Sequence, residues 1–305
     1  MEKNILVIGP VTKDTNIYPD HQYKQTGGAV YYQHNTLVQL KSKVTSIISI
    51  GENDLEILNS FQDRKHIKTI HYTQTTQYTN TYNNKKERTQ KAILPNNPIT
   101  PKKILNTDIN LEDYDTAIIS PLSKTDIPPK TVKMLKKRGL TTIVVAQGYL
   151  RTTDTQNNIT IKQWDNHKEI LKYTDMISLD EYETKKAFQI NNTEEIHEII
   201  KENKLKKVVI TQEKQGSTIY TKQDKTRIPA IKTEKERDFT GLGDTYIAAY
   251  IHKKCEKTID LEAGLYASIC AKNKLEEIGT LKTKKEEIEK EYQRTLNHVN
   301  QDNKR

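Results

Sequence analysis

The run Asp238–Asp244, DFTGLGD, holds the residues of this 305-residue chain best suited to chemistry. Gly241 and Gly243 permit backbone conformations that a Cβ would forbid, so successive N–H groups around Leu242 can point into one small space that suits an anion. The stretch TYIAAYI, residues 245–251, reads as a buried helix. Its positive N-terminal end faces the same spot and favours a phosphate there. Asp244 then stands at the helix start beside the anion, where a carboxylate acts as the base that takes the proton of an attacking hydroxyl. The alternative is structural: a glycine-rich helix start with Asp244 as an ordinary N-terminal carboxylate.

Such residues need a frame that brings them together. The runs ILVIG, TAIIS, TTIVVA and KVVIT are rich in Ile and Val and too short for helices, so they read as buried strands of a parallel sheet. A further strand is expected at 44–50. Helical patterns lie over 29–40, 129–138, 181–187 and 193–203. Alternation of strands and helices requires crossover connections, hence a mainly parallel sheet with helices on both sides. Residues 69–94 differ: HYTQTTQYTNTYNNKKERTQKAIL alternates polar with aromatic or β-branched residues around a polar turn at 83–86, the pattern of hairpins with one exposed face. Pro95, Pro98 and Pro101 mark the return to the main domain. Open sheets bind ligands at the C-terminal ends of their strands. That rule gathers Asp14 after the first strand, Gln147 and Gly148 after TTIVVA, Asp180 and Glu183 after MISL, and Thr211 at the end of KVVIT. Each has a structural alternative: a turn role for Asp14, a shaped turn for Thr211 and Gly216, and a helix N-cap with a first-turn carboxylate for Asp180 and Glu183.

Composition excludes several classes. The formal charge is +9, from 49 Lys and Arg against 40 Asp and Glu, but the lysines are dispersed. Residues 272–305 mix both signs at helical spacing, which describes a solvated helix face rather than a nucleic-acid stripe. No apolar run reaches the roughly 18 residues needed to cross a bilayer, and the N-terminus lacks the design of a signal peptide, so a soluble, cytoplasmic protein is expected without membrane or nucleic-acid partners. Cys255 and Cys270 show no metal or disulfide spacing, the eight histidines show no ligand spacing, and Tyr31, Tyr32 and Trp164 read as packing residues. Neither a Walker loop nor the protein-kinase H-R-D set is present.

The motif DFTGLGD resembles the signature of the ribokinase, or PfkB-type, carbohydrate kinases. So do NILVIGPVTKD (4–14), the pair Gly27–Gly28 in TGGAVYY, SIGEND (49–54), SLDEYE (178–183) and TQEKQG (211–216), in the family's order. The resemblance implies a single ribokinase-like three-layer α/β/α domain over 1–305, with a small β-sheet lid inserted at about 12–26 and 69–97 that often serves as a dimer surface. It implies an ATP- and Mg2+-dependent kinase acting on a hydroxyl of a small sugar or polyol, with a monovalent cation as a further cofactor. Asp244 would be the base and the amides of Gly241, Leu242 and Gly243 the anion hole. Asp14, Gly27, Gly28, Arg88 and Gln147 would bind the acceptor. Thr211, Gly216 and Gly243 would bind the nucleotide, and Asp180 and Glu183 would organise magnesium through water. Asp180 stands where the family carries Asn, and Tyr32 stands where ribokinase-like members carry Asn. The segments TTQYTNTY, Arg88-x-Gln90 and AQGYLR (146–151) are similar to the branch that contains inositol kinases. An inositol-like polyol, a sugar and a nucleoside therefore all stay open as acceptors, as does a non-catalytic, ligand-binding relative.

Overall fold

In the computed structural model, which describes residues 3–83 and 88–302, the apolar runs form the strands of one large sheet. In chain order, Asn4–Pro10 (β1) passes through Val11 alone into Thr12–Ile17 (β2), followed by Gln22–Gly27 (β3) and the helix Ala29–Gln39 (α1). Lys43–Gly51 (β4), Ile67–Tyr72 (β5), Thr76–Tyr82 (β6) and Arg88–Ile93 (β7) come next, and then Pro101–Leu105 (α2). Thr116–Ile119 (β8), Pro129–Lys137 (α3), Thr141–Val145 (β9) and Gln147–Leu150 (α4) lead to the hairpin Arg151–Thr153 (β10) and Ile159–Ile161 (β11). His167–Leu171 (α5), Met176–Asp180 (β12), Glu181–Phe188 (α6), Ile196–Asn203 (α7) and Lys207–Thr211 (β13) continue the alternation. Ser217–Tyr220 (β14), Lys225–Ile228 (β15), Leu242–Cys255 (α8), Asp260–Leu275 (α9) and Lys285–Asp302 (α10) complete the described chain.

The large sheet has the order β15-β14-β13-β12-β9-β8-β1-β4-β5. Its strands from β13 to β5 run parallel, and β14 and β15 add an antiparallel edge. Both faces are covered, because side chains alternate along each strand. On β1, Ile5 and Val7 join the core beneath α1, α8, α9 and α10, while Leu6 and Ile8 join the core on the side of α2, α3, α5, α6 and α7. The result is the expected ribokinase-like three-layer arrangement. A separate sheet of order β3-β2-β6-β7 forms the lid, which meets the main body where Tyr78 and Ala92 pack against Ala29 and Leu122.

Three expectations shift. Residues 69–72, part of the span expected in the lid, belong instead to Ile67–Tyr72, which pairs with β4 in the large sheet because Ile70 is needed by its core, and the lid resumes only at Thr76. The polar turn expected at 83–86 lies, beyond Asn83, outside the described residues. The stretch from Lys272 is not one solvated helix. It closes α9, breaks, and resumes as α10, with Lys274, Leu281, Ile288 and Tyr292 buried. Cys255 and Cys270 are free thiols, and Trp164 stacks on Tyr149 at 5.1 Å, so these are packing residues as expected. No helix among the described residues is long and apolar enough to cross a membrane.

Candidate active site

α8 begins at Leu242, so Asp244 lies in its first turn. Gly241 caps it in the left-handed region at φ 75°, and a Cβ there would stand 2.3 Å from the ring of Tyr32. Conformation and space both demand glycine at this position. Gly243 differs: it is exposed, and a Cβ on it would meet nothing within 4 Å. It leaves the helix start open on the side where the first backbone N–H groups of any helix lack intrahelical acceptors. Upstream, Asp238 braces the loop. Its Oδ1 accepts from the Thr240 N–H at 2.9 Å, and its Oδ2 accepts from the Gly279 N–H at 3.0 Å and from Lys274 Nζ at 2.9 Å.

The Asp244 carboxylate is partly buried at the C-terminal edge of the sheet. Gln33 of α1 donates from Nε2 to Asp244 Oδ1 at 3.4 Å. The Gln33 amide is oriented by Ser120, just after β8, whose Oγ donates to Gln33 Oε1 at 2.8 Å. Burial pushes the Asp244 carboxyl up to about 6, with the Glu183 carboxylate acting in the same direction, while the Arg151 guanidinium and the Gln33 hydrogen bond hold it down. The balance keeps Asp244 ionised at neutral pH yet more basic than an ordinary aspartate, which suits a proton acceptor.

Asp180 and Glu183 form a capping box at the start of α6: Asp180 Oδ1 accepts from the Glu183 N–H at 2.7 Å, and Glu183 Oε2 accepts from the Asp180 N–H at 3.1 Å. Gln147 donates its amide to Glu183 Oε1. Burial raises both acids, and for Glu183 the neighbouring Asp180 charge adds to it. Arg151 is the cation of this edge. It donates from Nη1 to the Tyr78 hydroxyl at 3.3 Å, and its Nε is buried without a hydrogen-bond partner. Thr211 pairs in register with Asp180, so it reaches the same edge on the neighbouring strand. Gly216 is set by packing, because a Cβ there would stand 2.1 Å from the Ile228 carbonyl oxygen. Among the described residues no group of three or more His, Cys, Asp or Glu side chains is arranged to hold a metal ion.

The lid supplies a polar roof. Asp14 is buried on β2 and accepts from Thr12 Oγ1 at 2.6 Å. A Cβ on Gly27 would stand 2.1 Å from Asp14 Oδ2, so this glycine makes room for the carboxylate. Gly28 caps α1, and a Cβ on it would meet the Pro10 carbonyl oxygen at 2.8 Å. Along the same face as Asp14, Asn80 donates to Asn16 at 2.9 Å and Gln90 donates to Asn80 at 2.8 Å, while the amide nitrogens of Asn16 and Gln25 are buried without partners. Buried donors without partners are costly unless something supplies an acceptor. Arg88 opens β7, and its side chain lies outside the described residues.

The fold thus gathers Asp14, Gly27, Gly28, Gln147, Asp180, Glu183, Thr211 and the Gly241–Asp244 turn along one edge. Sequence reasoning missed Gln33, Ser120, Asn16, Gln25 and Asn80 as site residues, and it placed Arg151 in a motif without a role. The alternation in TKDTNI and TQYTNTY was a usable signal, because it puts Asp14, Asn16 and Asn80 at every second position, but it does not say which face is covered.

A model of the pfkB family carbohydrate kinases matches residues 2–287. Similar solved structures include a pyrophosphate-dependent kinase in the ribokinase family complexed with a pyrophosphate analog and myo-inositol, at 22% identity, 93% of this chain, 99% of that chain and a TM-score of 0.79. The ribokinase of Arabidopsis thaliana complexed with ribose and ATP is 16% identical, with 96% of this chain and 99% of that chain covered and a TM-score of 0.75. A nucleoside kinase of Methanocaldococcus jannaschii is 34% identical over 83 residues, which span 27% of this chain and 26% of that protein.

Proposed function

We propose, because this chain belongs to the pfkB family of carbohydrate kinases, that it transfers a terminal phosphoryl group to a hydroxyl of a small polyol- or sugar-like acceptor. The observation that carries this reading is the placement of Asp244. A carboxylate raised to about 6 stands in the first turn of α8, one residue from an exposed glycine at the helix start. The anionic donor binds at that helix start, where the backbone N–H groups of Leu242 and Gly243 face the moving phosphoryl group. Asp244 accepts the proton of the acceptor hydroxyl as its oxygen attacks, and Gln33 holds the carboxylate in position. Arg151 opposes the upward shift that burial imposes on Asp244, Glu183 and Asp180. A magnesium ion, when bound, neutralises phosphate charge. With both carboxylates of the capping box committed to α6, the residues present fit an ion held by phosphate and water, with Asp180 and Glu183 acting through water.

The roof suits a hydroxyl-rich acceptor. The Asp14 carboxyl offers acceptor oxygens to a ligand hydroxyl, and the spare amide N–H groups of Asn16 and Gln25 donate to hydroxyl oxygens. This pairing supports a polyol or sugar as the first reading. A nucleoside is the second reading, favoured by the 83-residue similarity to a nucleoside kinase. The donor is ATP or pyrophosphate, since structurally similar kinases use each. A matrix of myo-inositol, ribose and inosine against ATP and pyrophosphate, with phosphorylated product as readout, tests the reading. Product from myo-inositol or ribose supports it, and product from inosine alone moves the acceptor to a nucleoside. Donor binding without any product supports a non-catalytic relative.

A further inference from the structure

The family resemblance brings an expectation of a monovalent cation as cofactor, and such an ion needs oxygen ligands beside the anion loop. The oxygens of Asp238 and Leu275 that flank this loop are engaged by N–H donors. Asp238 Oδ1 is taken by the Thr240 N–H, and Oδ2 by the Gly279 N–H and Lys274 Nζ. The Asp238 main-chain oxygen accepts from Lys274 Nζ at 2.9 Å, and the Leu275 carbonyl accepts from the N–H groups of Arg237 at 2.9 Å and Asp238 at 3.3 Å. The Lys274 side chain is 0% exposed and reaches this point from the last turn of α9.

We infer that the ammonium of Lys274 is the resident cation of the anion loop, so that this protein works without an added monovalent metal ion. The inference rests on the kinase reading above, and its chemistry is local. A half-buried carboxylate six residues before Asp244 would repel a phosphate docking at α8, and Lys274 cancels that charge. By gripping a main-chain and a side-chain oxygen of one residue, the same ammonium also fixes how the chain enters Thr240 and Gly241. Its Nζ lies over the Tyr32 ring, 5.7 Å from the centroid, and that ring leaves Gly241 no room for a side chain. Burial pulls the lysine pKa down and the ion pair with Asp238 opposes it, the balance expected of a desolvated but paired cation. Lys274 is therefore a positioning residue: it touches neither donor nor acceptor, yet it sets the loop that does.

The test compares turnover with tetramethylammonium as the sole monovalent cation against turnover with potassium or sodium at equal ionic strength. The inference expects equality to within about twofold, the size of residual screening effects. A strict requirement for potassium overturns it while leaving the kinase reading intact. A second arm uses Lys274→Ala, which is expected to lose turnover at nearly unchanged acceptor KM and to regain it with methylammonium or potassium but not with the bulky tetramethylammonium. Full activity in that variant without any added cation overturns the inference. Should every donor and acceptor fail, thermal unfolding still decides: methylammonium should stabilise Lys274→Ala and potassium should leave the parent unmoved. A parent specifically stabilised by potassium overturns the assignment.

Discussion

Replacing Asp244 by Asn should lower turnover by orders of magnitude and, at the same time, make the protein more stable. The substitution keeps the shape of the side chain and removes its charge. As a base Asp244 should be worth a factor of about 10²–10⁴ in kcat, the usual range for a positioned proton acceptor. The stability effect follows from the carboxyl rising from 3.8 to about 6 on folding. The folded state holds the proton more tightly than the unfolded one, so stability is lost as pH rises from 3.8 to about 6, and it stays lost above that. The full gap corresponds to about 3 kcal/mol, which partial solvent access lowers to about 1–3 kcal/mol. For a chain of this size that is a gain of about 2–6 °C in Tm for Asp244→Asn. Thermal unfolding of parent and variant at pH 8 and at pH 4 measures it. The gain should appear at pH 8 and vanish at pH 4, where the parent carboxyl is protonated in the folded state. An equal kcat for the two proteins, or a Tm difference that does not change with pH, would refute the reasoning.

The two glycines of the turn should respond differently to alanine. Gly241→Ala meets both a positive φ and the Tyr32 ring, so it should cost about 1–3 kcal/mol in denaturant unfolding as well as activity. Gly243→Ala meets nothing, so stability should hold while the donor KM rises; unchanged kinetics would remove the helix start as the phosphate site. Arg151→Met removes the charge that holds the Asp244 carboxyl down, so the acidic limb of kcat/KM against pH should move above 6 and the rate at neutral pH should fall. Gln33→Met should move the limb the same way by less, and a limb that stays in place in both would separate it from Asp244.

Much of this was legible in the sequence because parallel strands buried on both faces must be written in short Ile- and Val-rich runs. DFTGLGD was legible because an amide-lined helix start has few chemical spellings. Gln33 was not, since a glutamine within a helix carries no mark of a partner 211 positions away. Lys274 was misleading: among 49 basic residues it reads as one more surface charge, and only its contact with Asp238 distinguishes it. The antiparallel pair β14 and β15 was invisible because KTRI and STIY are short, and two of the KTRI side chains are exposed.

β1, an interior strand of the parallel array, passes into the lid through the single residue Val11, itself fully buried. Lys13, two residues on, is tied to Asp54 beyond β4 by an ion pair of 2.6 Å. A joint sunk this deep ties the inner end of the roof to the main sheet. Ligand-dependent hydrogen exchange is expected to concentrate at the rim near β7, and the seam at Val11 should stay protected with or without ligand.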